Sequence, residues 1–335
     1  MPKPRKDQVC YEVTRHYLIS MRCVRRSFWL NPHEDGVSEC RRGWIVAMLE
    51  KLERIFAIDV CSYAIMTNHY HLVLAVNLSA AERWTERDVI ERRAQLYKPT
   101  KLIERYLDNK DLTKAERAEL PALVKQWREQ LVSLSRFMAK LNQTIARKAN
   151  MEDEHTGHFW QGRFESKALI EPGSVLTAMN YVDLNPVRAG MAYDLESSAY
   201  TSVQQRLREK NNQPTTAIMD GKVCEAPRLA PIDLESEDSP PVGMTEQQYL
   251  DFVYYNGLMA HPTKKGRIRP SQEQEEVLDK MNIDSKHWPD LQRGFEGLFR
   301  YFVGSGEAIK KAGKVIGTPG VHGVGAGRRF FFSRI

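Results

Sequence analysis

Residues 58–76 constrain this chain more than any other segment. Ile58-Asp59-Val60-Cys61-Ser62-Tyr63-Ala64-Ile65-Met66 reads as a strand, Thr67-Asn68 as a turn, and His69-Tyr70-His71-Leu72-Val73-Leu74-Ala75-Val76 as the returning strand of a hairpin. Successive strand residues point to opposite faces. His69 and His71 therefore project together, with Val73 and Ala75 continuing their face. Tyr70, Leu72, Leu74 and Val76 take the other face, which is wholly apolar and needs a core behind it. Two imidazoles converging from one strand make half of a metal site. By itself, however, a His-x-His strand is as compatible with a structural pair as with a ligand pair.

The surrounding sequence supplies a frame for that hairpin. Residues 17–21 (YLISM) form a strand signal that runs into the basic stretch Arg22-Cys23-Val24-Arg25-Arg26. Residues 38–57 carry Trp44, Ile45, Met48, Leu49, Leu52 and Ile55 at helical spacing, and 133–149 repeat the pattern with Leu134, Phe137, Met138, Leu141 and Ile145. Between hairpin and second helix, residues 79–130 are charged and helical in period, an insertion rather than a second sheet. Residues 155–170 are aromatic and basic and end as a strand. A helix follows Pro172-Gly173, with Ser174 as its N-cap, and Pro186 predicts that it stops near Asn185. Residues 225–243 are rich in proline and acid and read as a linker. Beyond them comes a small helical module, where Thr245 and Gln248 fit a capping box and Trp288, Leu291, Phe295, Leu298, Phe299 and Phe302 form an apolar stripe.

Bulk properties exclude some classes and permit others. With 27% charged and 42% hydrophobic residues the chain is neither disordered nor fibrous, and its net charge of +6 permits a nucleic-acid partner without requiring one. The five cysteines are scattered and never in CxxC spacing, which argues against a disulfide framework or cysteine zinc site and for a reducing, cytoplasmic setting. No signal-peptide pattern or membrane-length apolar run is present in the sequence, so no membrane partner is expected.

Two further features bear on chemistry. Tyr181 and Asn185 are spaced i, i+4, which places a phenol and an amide on one helix face. A tyrosine can attack phosphorus, although a core tyrosine beside an Asn-Pro helix stop fits the same residues. Basic and aromatic residues also interleave, at Arg22, Arg25, Arg26, Phe28 and Trp29 and again at His158, Phe159, Trp160, Arg163 and Phe164. Aromatic faces stack on unpaired bases while cations meet phosphates, as single-stranded nucleic-acid binding requires. Core aromatics flanked by solvated arginines would give the same pattern.

Met66-Thr67-Asn68-His69-Tyr70-His71-Leu72-Val73-Leu74 resembles the HUH motif of single-tyrosine transposases, where U is a bulky hydrophobic residue. Gly157-His158-Phe159-Trp160-Gln161-Gly162-Arg163-Phe164 and Tyr181-Val182-Asp183-Leu184-Asn185-Pro186-Val187-Arg188-Ala189-Gly190 look like the downstream blocks of the REP-associated tyrosine transposase branch. The blocks occur in the family's order, and the resemblance spans roughly residues 10–205, with 79–130 as an enlargement. It implies metal-dependent cutting and joining of single-stranded DNA beside hairpins formed by palindromic repeats. His69 and His71 match the metal ligands, Tyr181 the nucleophile that forms a 5′-phosphotyrosine, and Asn185 the position of a third ligand to Mg²⁺ or Mn²⁺. Arg22, Arg25, Arg26, Trp160, Arg163 and Arg188 are the residues expected to touch DNA.

The expected architecture is α+β. It comprises an antiparallel, ferredoxin-like sheet with helices on one face, the His69–His71 hairpin central, and an active site on the open face completed by the Tyr181 helix. The expected division is a transposase-like domain at 1–210 with its helical insertion at 79–130, a linker at 211–243, and an accessory helical domain with a basic tail at 244–335. The basic run Lys264-Lys265-Gly266-Arg267-Ile268-Arg269 is a weak sign of DNA contact there. A monomer or a homodimer fits this reading. Two other functions use the same residues. A hairpin-binding regulator would keep the surface without the chemistry, and a metal hydrolase unrelated to DNA would leave Tyr181 without a role.

Overall fold

The computed structural model describes residues 9–24, 27, 29–30, 40–232, 241–260, 271–318 and 320–332. The order of elements is β1 (His16–Arg22), α1 (Arg41–Ile55), β2 (Ile58–Ile65), β3 (His69–Val76), α2 (Leu78–Arg83), α3 (Glu86–Leu96), α4 (Lys101–Leu107), α5 (Lys114–Leu131), α6 (Leu134–Glu152), β4 (Glu165–Leu169) and α7 (Pro172–Asp183). Then follow α8 (Asn185–Arg188), α9 (Ser202–Lys210), the hairpin β5 (Thr216–Met219) and β6 (Lys222–Glu225), α10 (Glu246–Ala260), α11 (Gln272–Lys280), α12 (Trp288–Leu298), β7 (Phe302–Val303), α13 (Gly306–Val315) and α14 (Val324–Phe330). Among the described residues no helix is long and apolar enough to cross a membrane.

The main sheet has the order β2-β3-β1-β4-β7. β1 pairs antiparallel with β3 and β4, and β2 with β3, whereas β7 joins β4 in parallel. This mixed sheet corrects two expectations. The hairpin of β2 and β3 lies at one side of the sheet, and β1 is the middle strand. The fifth strand comes from the C-terminal segment, whose apolar stripe ends in Phe302 and so reads as helix up to the residue where the chain turns extended.

The two faces follow the alternation in β3. On one side Tyr70, fully buried, donates its hydroxyl to Asn142 Oδ1 of α6 (2.6 Å), and α1 packs beside α6. On the other side α7 lies across β2 and β3, followed by α9, α10 and α12. Helices thus cover both faces, not one. The site face carries Ser62, Arg22, His69 and Lys167, polar groups that need partners once buried, and helices bring those partners.

Local signals explain several boundaries. Thr85, Thr113 and Ser271 each cap a helix and close a reciprocal box with the residue three positions on. Thr245 and Gln248 make the bonds expected of a capping box at the start of α10. α7 begins at Pro172, earlier than Ser174 suggests. Ser174 is its third residue, and its hydroxyl accepts from the Glu171 backbone N–H (3.1 Å). Pro172 needs no donor at the first helical position, so the helix starts there. The acidic, proline-rich segment after β6 begins docked: Leu229 bridges to Val60 and the Ala230 N–H donates to Val60 O (2.8 Å), which covers the open edge of β2.

Arg41 fastens α1 to α6 behind the sheet. It is wholly buried at the first residue of α1, and Glu152 and Asp153 lie at the last turn of α6. Each charge sits at the helix end its sign disfavours. Pairing offsets this: Nε donates to Glu152 Oε2 (2.7 Å), and Nη1 to Asp153 Oδ2 (2.9 Å) and to Trp29 O (3.1 Å). Replacing Arg41 with Met is expected to lower the urea-unfolding free energy by about 2–3 kcal/mol, at the low end for a broken buried pair because the carboxylates regain water. A second expectation concerns acid. Burial pulls the His16 imidazole down to about 4, with Arg15 adding to the effect. Between about 6.5 and 4 the unfolded chain binds this proton and the folded chain does not, so stability falls as pH drops through that window. The difference in unfolding free energy between wild type and His16→Gln should therefore shift against wild type by on the order of 1–2 kcal/mol from pH 7 to pH 4.

Candidate phosphoryl-transfer site

β3 presents His69 and His71, and the register of β1 places Arg22 opposite His69 and Ser20 opposite His71. Directly opposed residues share a face, so these four side chains form one polar patch. The imidazole centroids are 5.0 Å apart, with ring planes at 83°. His69 Nδ1 pairs with Asn68 Oδ1 at 2.5 Å, and His71 Nδ1 with Ser20 Oγ at 2.8 Å. An amide oxygen only accepts, so His69 carries its proton on Nδ1 and keeps the Nε2 lone pair. Nε2 of His71 is buried and has no hydrogen-bond partner among the described residues.

Burial also holds both rings neutral. It takes His69 down to about 4, with Arg22 adding to the shift and Glu296 opposing it. Burial depresses His71 well below the usual histidine range, reinforced by His69, Lys167 and Arg22. A neutral imidazole with one nitrogen held by a hydrogen bond is the form that binds metal. The residues therefore fit a divalent ion as a pair. Among the described residues, no three His, Cys, Asp or Glu side chains gather closely enough to hold one. A further protein donor would have to be an amide or a carboxylate that moves in.

α7 delivers Tyr181 to this pair. Its ring lies 5.6 Å from His71, edge-on, and 5.2 Å from Phe295 of α12. Two residues on, the buried Asp183 carboxylate fixes the helix: Oδ1 accepts from Ser62 (3.1 Å) and Ser202, and Oδ2 from Tyr249 (2.5 Å). Asn185 stays beside Tyr181. Leu184 interrupts the assigned helix, yet its N–H donates to Asn180 O (3.1 Å) and α8 resumes at Asn185. α7 ends at Asp183, close to where Pro186 predicts, and Pro186 itself occupies an early position of α8 where no backbone donor is needed, so the helical path resumes.

Tyr181 is only 6% exposed, and its hydroxyl faces Glu296 Oε2 at 3.4 Å. Burial raises its pKa to about 12, and Glu296 pushes it the same way, while Arg188 and the Asn185 amide favour the phenolate. Glu296 also pairs with Arg22 (3.1 Å), and its backbone oxygen accepts from Lys167 Nζ. Glu296 and the two histidines line one cavity of about 470 Å³ with Arg22, Gln161 and Arg163. Glu296 and Lys167 carried no sequence signal. Each is an ordinary charged residue whose partner lies more than a hundred positions away.

The residues expected at a DNA surface divide. Arg163 is exposed at the cavity rim. Arg22 is held by Glu296, and Arg188 lies 4.9 Å over the Tyr181 ring with Nη2 donating to Arg293 O (3.3 Å), so neither is a free surface cation. Trp160 offers no open stacking face. It is 9% exposed, edge-on to Tyr70, and donates from Nε1 to Asn142 O (2.9 Å), because anchoring the chain ahead of β4 to α6 buries its indole. Arg25, Arg26, Phe28 and the run at 264–269 lie outside the described residues.

No protein-family model and no curated protein matches the chain. Among solved structures, a REP-associated tyrosine transposase bound to a REP hairpin is similar at 12% identity over 64% of this chain and 90% of that chain, with a TM-score of 0.30.

The Tyr181 environment makes a direct expectation. Removing the Glu296 carboxylate with Glu296→Gln should lower the Tyr181 pKa from about 12 toward the ordinary 10. Arg188→Met should raise it further. Ultraviolet titration of the phenolate, with Tyr181→Phe as the subtraction control, reads both directions.

Proposed function

We propose that this chain is a metal-dependent, single-stranded DNA transesterase of the REP-associated tyrosine transposase kind. It would cut and rejoin DNA beside hairpins through a 5′-phosphotyrosine. The observation that carries this reading is the meeting of Tyr181, on a helix, with His69 and His71, on a strand more than a hundred residues earlier. An unrelated metal hydrolase has no use for a tyrosine held there. The βαββαβ succession from β1 to β4, with strand order β2-β3-β1-β4, supports a ferredoxin-like core for the same reading.

His69 and His71 would hold Mg²⁺ or Mn²⁺, with Asn185 as third protein donor. When bound, the ion supplies polarisation of the phosphodiester and stabilises charge developing on its oxygens. The protein's own groups do the rest. Tyr181 provides the attacking oxygen, and the Arg188 cation over its ring lowers the cost of the phenolate. Arg22, once released from Glu296, would meet a phosphate, and Arg163 at the rim would guide the strand. Attack by the phenol oxygen forms the Tyr181–phosphorus bond, expels the 3′ oxygen as a hydroxyl, and keeps the bond energy for rejoining. The partner is single-stranded DNA bearing a hairpin, met in the cytoplasm by a monomer or a homodimer.

A second reading also has an observation in its favour. Tyr181 is shielded and bonded to Glu296, as a hairpin-binding regulator that does not cut would tolerate. Incubation with hairpin-bearing single-stranded DNA and Mn²⁺ separates the two on denaturing gels. A covalent protein–DNA adduct is expected with wild type, and none with Tyr181→Phe, with His69→Ala/His71→Ala or with chelator. Tight hairpin binding without an adduct would establish the regulator instead.

A further inference from the structure

We propose that the groove between α6 and the segment 160–164 is a subsite for one unpaired nucleobase of the DNA strand held at the Tyr181 site. The inference rests on the DNA reading above and adds a place and a chemistry for base contact.

The groove, about 410 Å³, lies on the side of the sheet opposite the histidines. Its lining is mainly apolar, with Met21, Met138, Ala139, Trp160 and Phe164. It touches the His69–His71 cavity, because Met21, Gly162 and Arg163 line both. The shared rim is open at Gly162, where even a Cβ added to the backbone would meet nothing within 4 Å. A strand crossing this rim could leave its phosphate with Arg163 and turn the attached base into the groove.

Polar groups at the edge suit a base more than an aliphatic chain. Asn142 lines the groove, and its Oδ1 already accepts from Tyr70 (2.6 Å), so the amide has its N–H₂ to offer. Such a donor complements the ring-nitrogen and carbonyl acceptors on base edges. Ser135 and Gln143 add hydroxyl and amide groups that can serve either polarity. Arg136 and Arg147, exposed on the helix flank with Gln143, form no salt bridge with a carboxylate among the described residues, and neither does Arg163. A largely apolar slot with one cation, Arg163, in its wall and two more on the neighbouring helix flank fits an aromatic ligand carrying a phosphate, the description of a nucleotide.

The test uses full-length Tyr181→Phe protein, to prevent cutting, and fluorescence anisotropy. The probes are a blunt hairpin oligonucleotide and the same hairpin with a thymidine extension at either end, in which a single abasic site is moved along the extension. One abasic position should weaken binding about tenfold, as expected for loss of one stacked base. Ala139→Trp, which fills the groove from an exposed helix position, should bind the intact extension as weakly as the unsubstituted protein binds the abasic probe. It should be indifferent to the abasic site and bind the blunt hairpin unchanged, which also reports that it is folded. Equal abasic sensitivity with and without Ala139→Trp, or none at any position, overturns the subsite and leaves the groove to another occupant. Failure to bind either hairpin probe sinks the DNA reading itself, and the subsite with it.

Discussion

The Asp183 carboxylate is the contact on which the site's geometry depends. It is completely buried and receives hydrogen bonds from β2, α9 and α10 through Ser62, Ser202 and Tyr249. Burial raises its pKa, and those donors oppose the shift by favouring the ionised form. Arg206 closes the same region, donating to Ala230 O (2.8 Å) and Cys61 O (3.3 Å) and pairing with Glu246 (2.6 Å). α7 is thereby set against the sheet from its C-terminal end. Tyr181, half a turn earlier, has no freedom to leave the histidines without breaking that cluster.

A consequence is that the C-terminal segment builds the site as well as flanking it. Tyr249 belongs to the Asp183 cluster, Phe295 packs on Tyr181, Glu296 reaches both Tyr181 and Arg22, and β7 extends the sheet. Ser305 donates to Glu171 at the start of α7, through its backbone N–H (2.5 Å) and its hydroxyl (3.0 Å). Residues 244–332 thus contact α7 at both ends. The geometry around Tyr181 and the stability of the fold are coupled through these contacts, and truncation behind residue 243 would expose Tyr181 while loosening the helix that carries it.

The electrostatics of the cavity have a consistent direction. Burial keeps both histidines neutral, Arg22 adding to the effect on each and Lys167 to that on His71, and one carboxylate, Glu296, answers those cations while raising the phenol. A phosphate entering the cavity would compete with Glu296 for Arg22. Because Glu296 also raises the Tyr181 pKa, displacing its carboxylate from the hydroxyl would make the phenol more acidic. The Tyr181 phenol and the Arg22 cation are linked through a single side chain, Glu296.

Much of this was legible in the sequence, for a physical reason. Strand alternation placed His69 and His71 together and sent Tyr70 to the core, and helical spacing kept Tyr181 with Asn185. Those are short-range regularities of the backbone. Capping boxes and apolar periodicity likewise located α1, α6 and α10 to within a few residues. What the tertiary structure decided is everything that depends on long-range pairing: which face the helices cover, the parallel docking of β7, the burial of Trp160, and the arrival of Glu296 beside Tyr181. A charged residue has no periodic signature, and its role is set by whichever distant group needs its charge. The sequence by itself therefore determined the chemical groups and their local faces. Only the fold decided that the phenol would meet the imidazoles, because that contact joins residues 69, 71 and 181 across the sheet and is held there by Asp183.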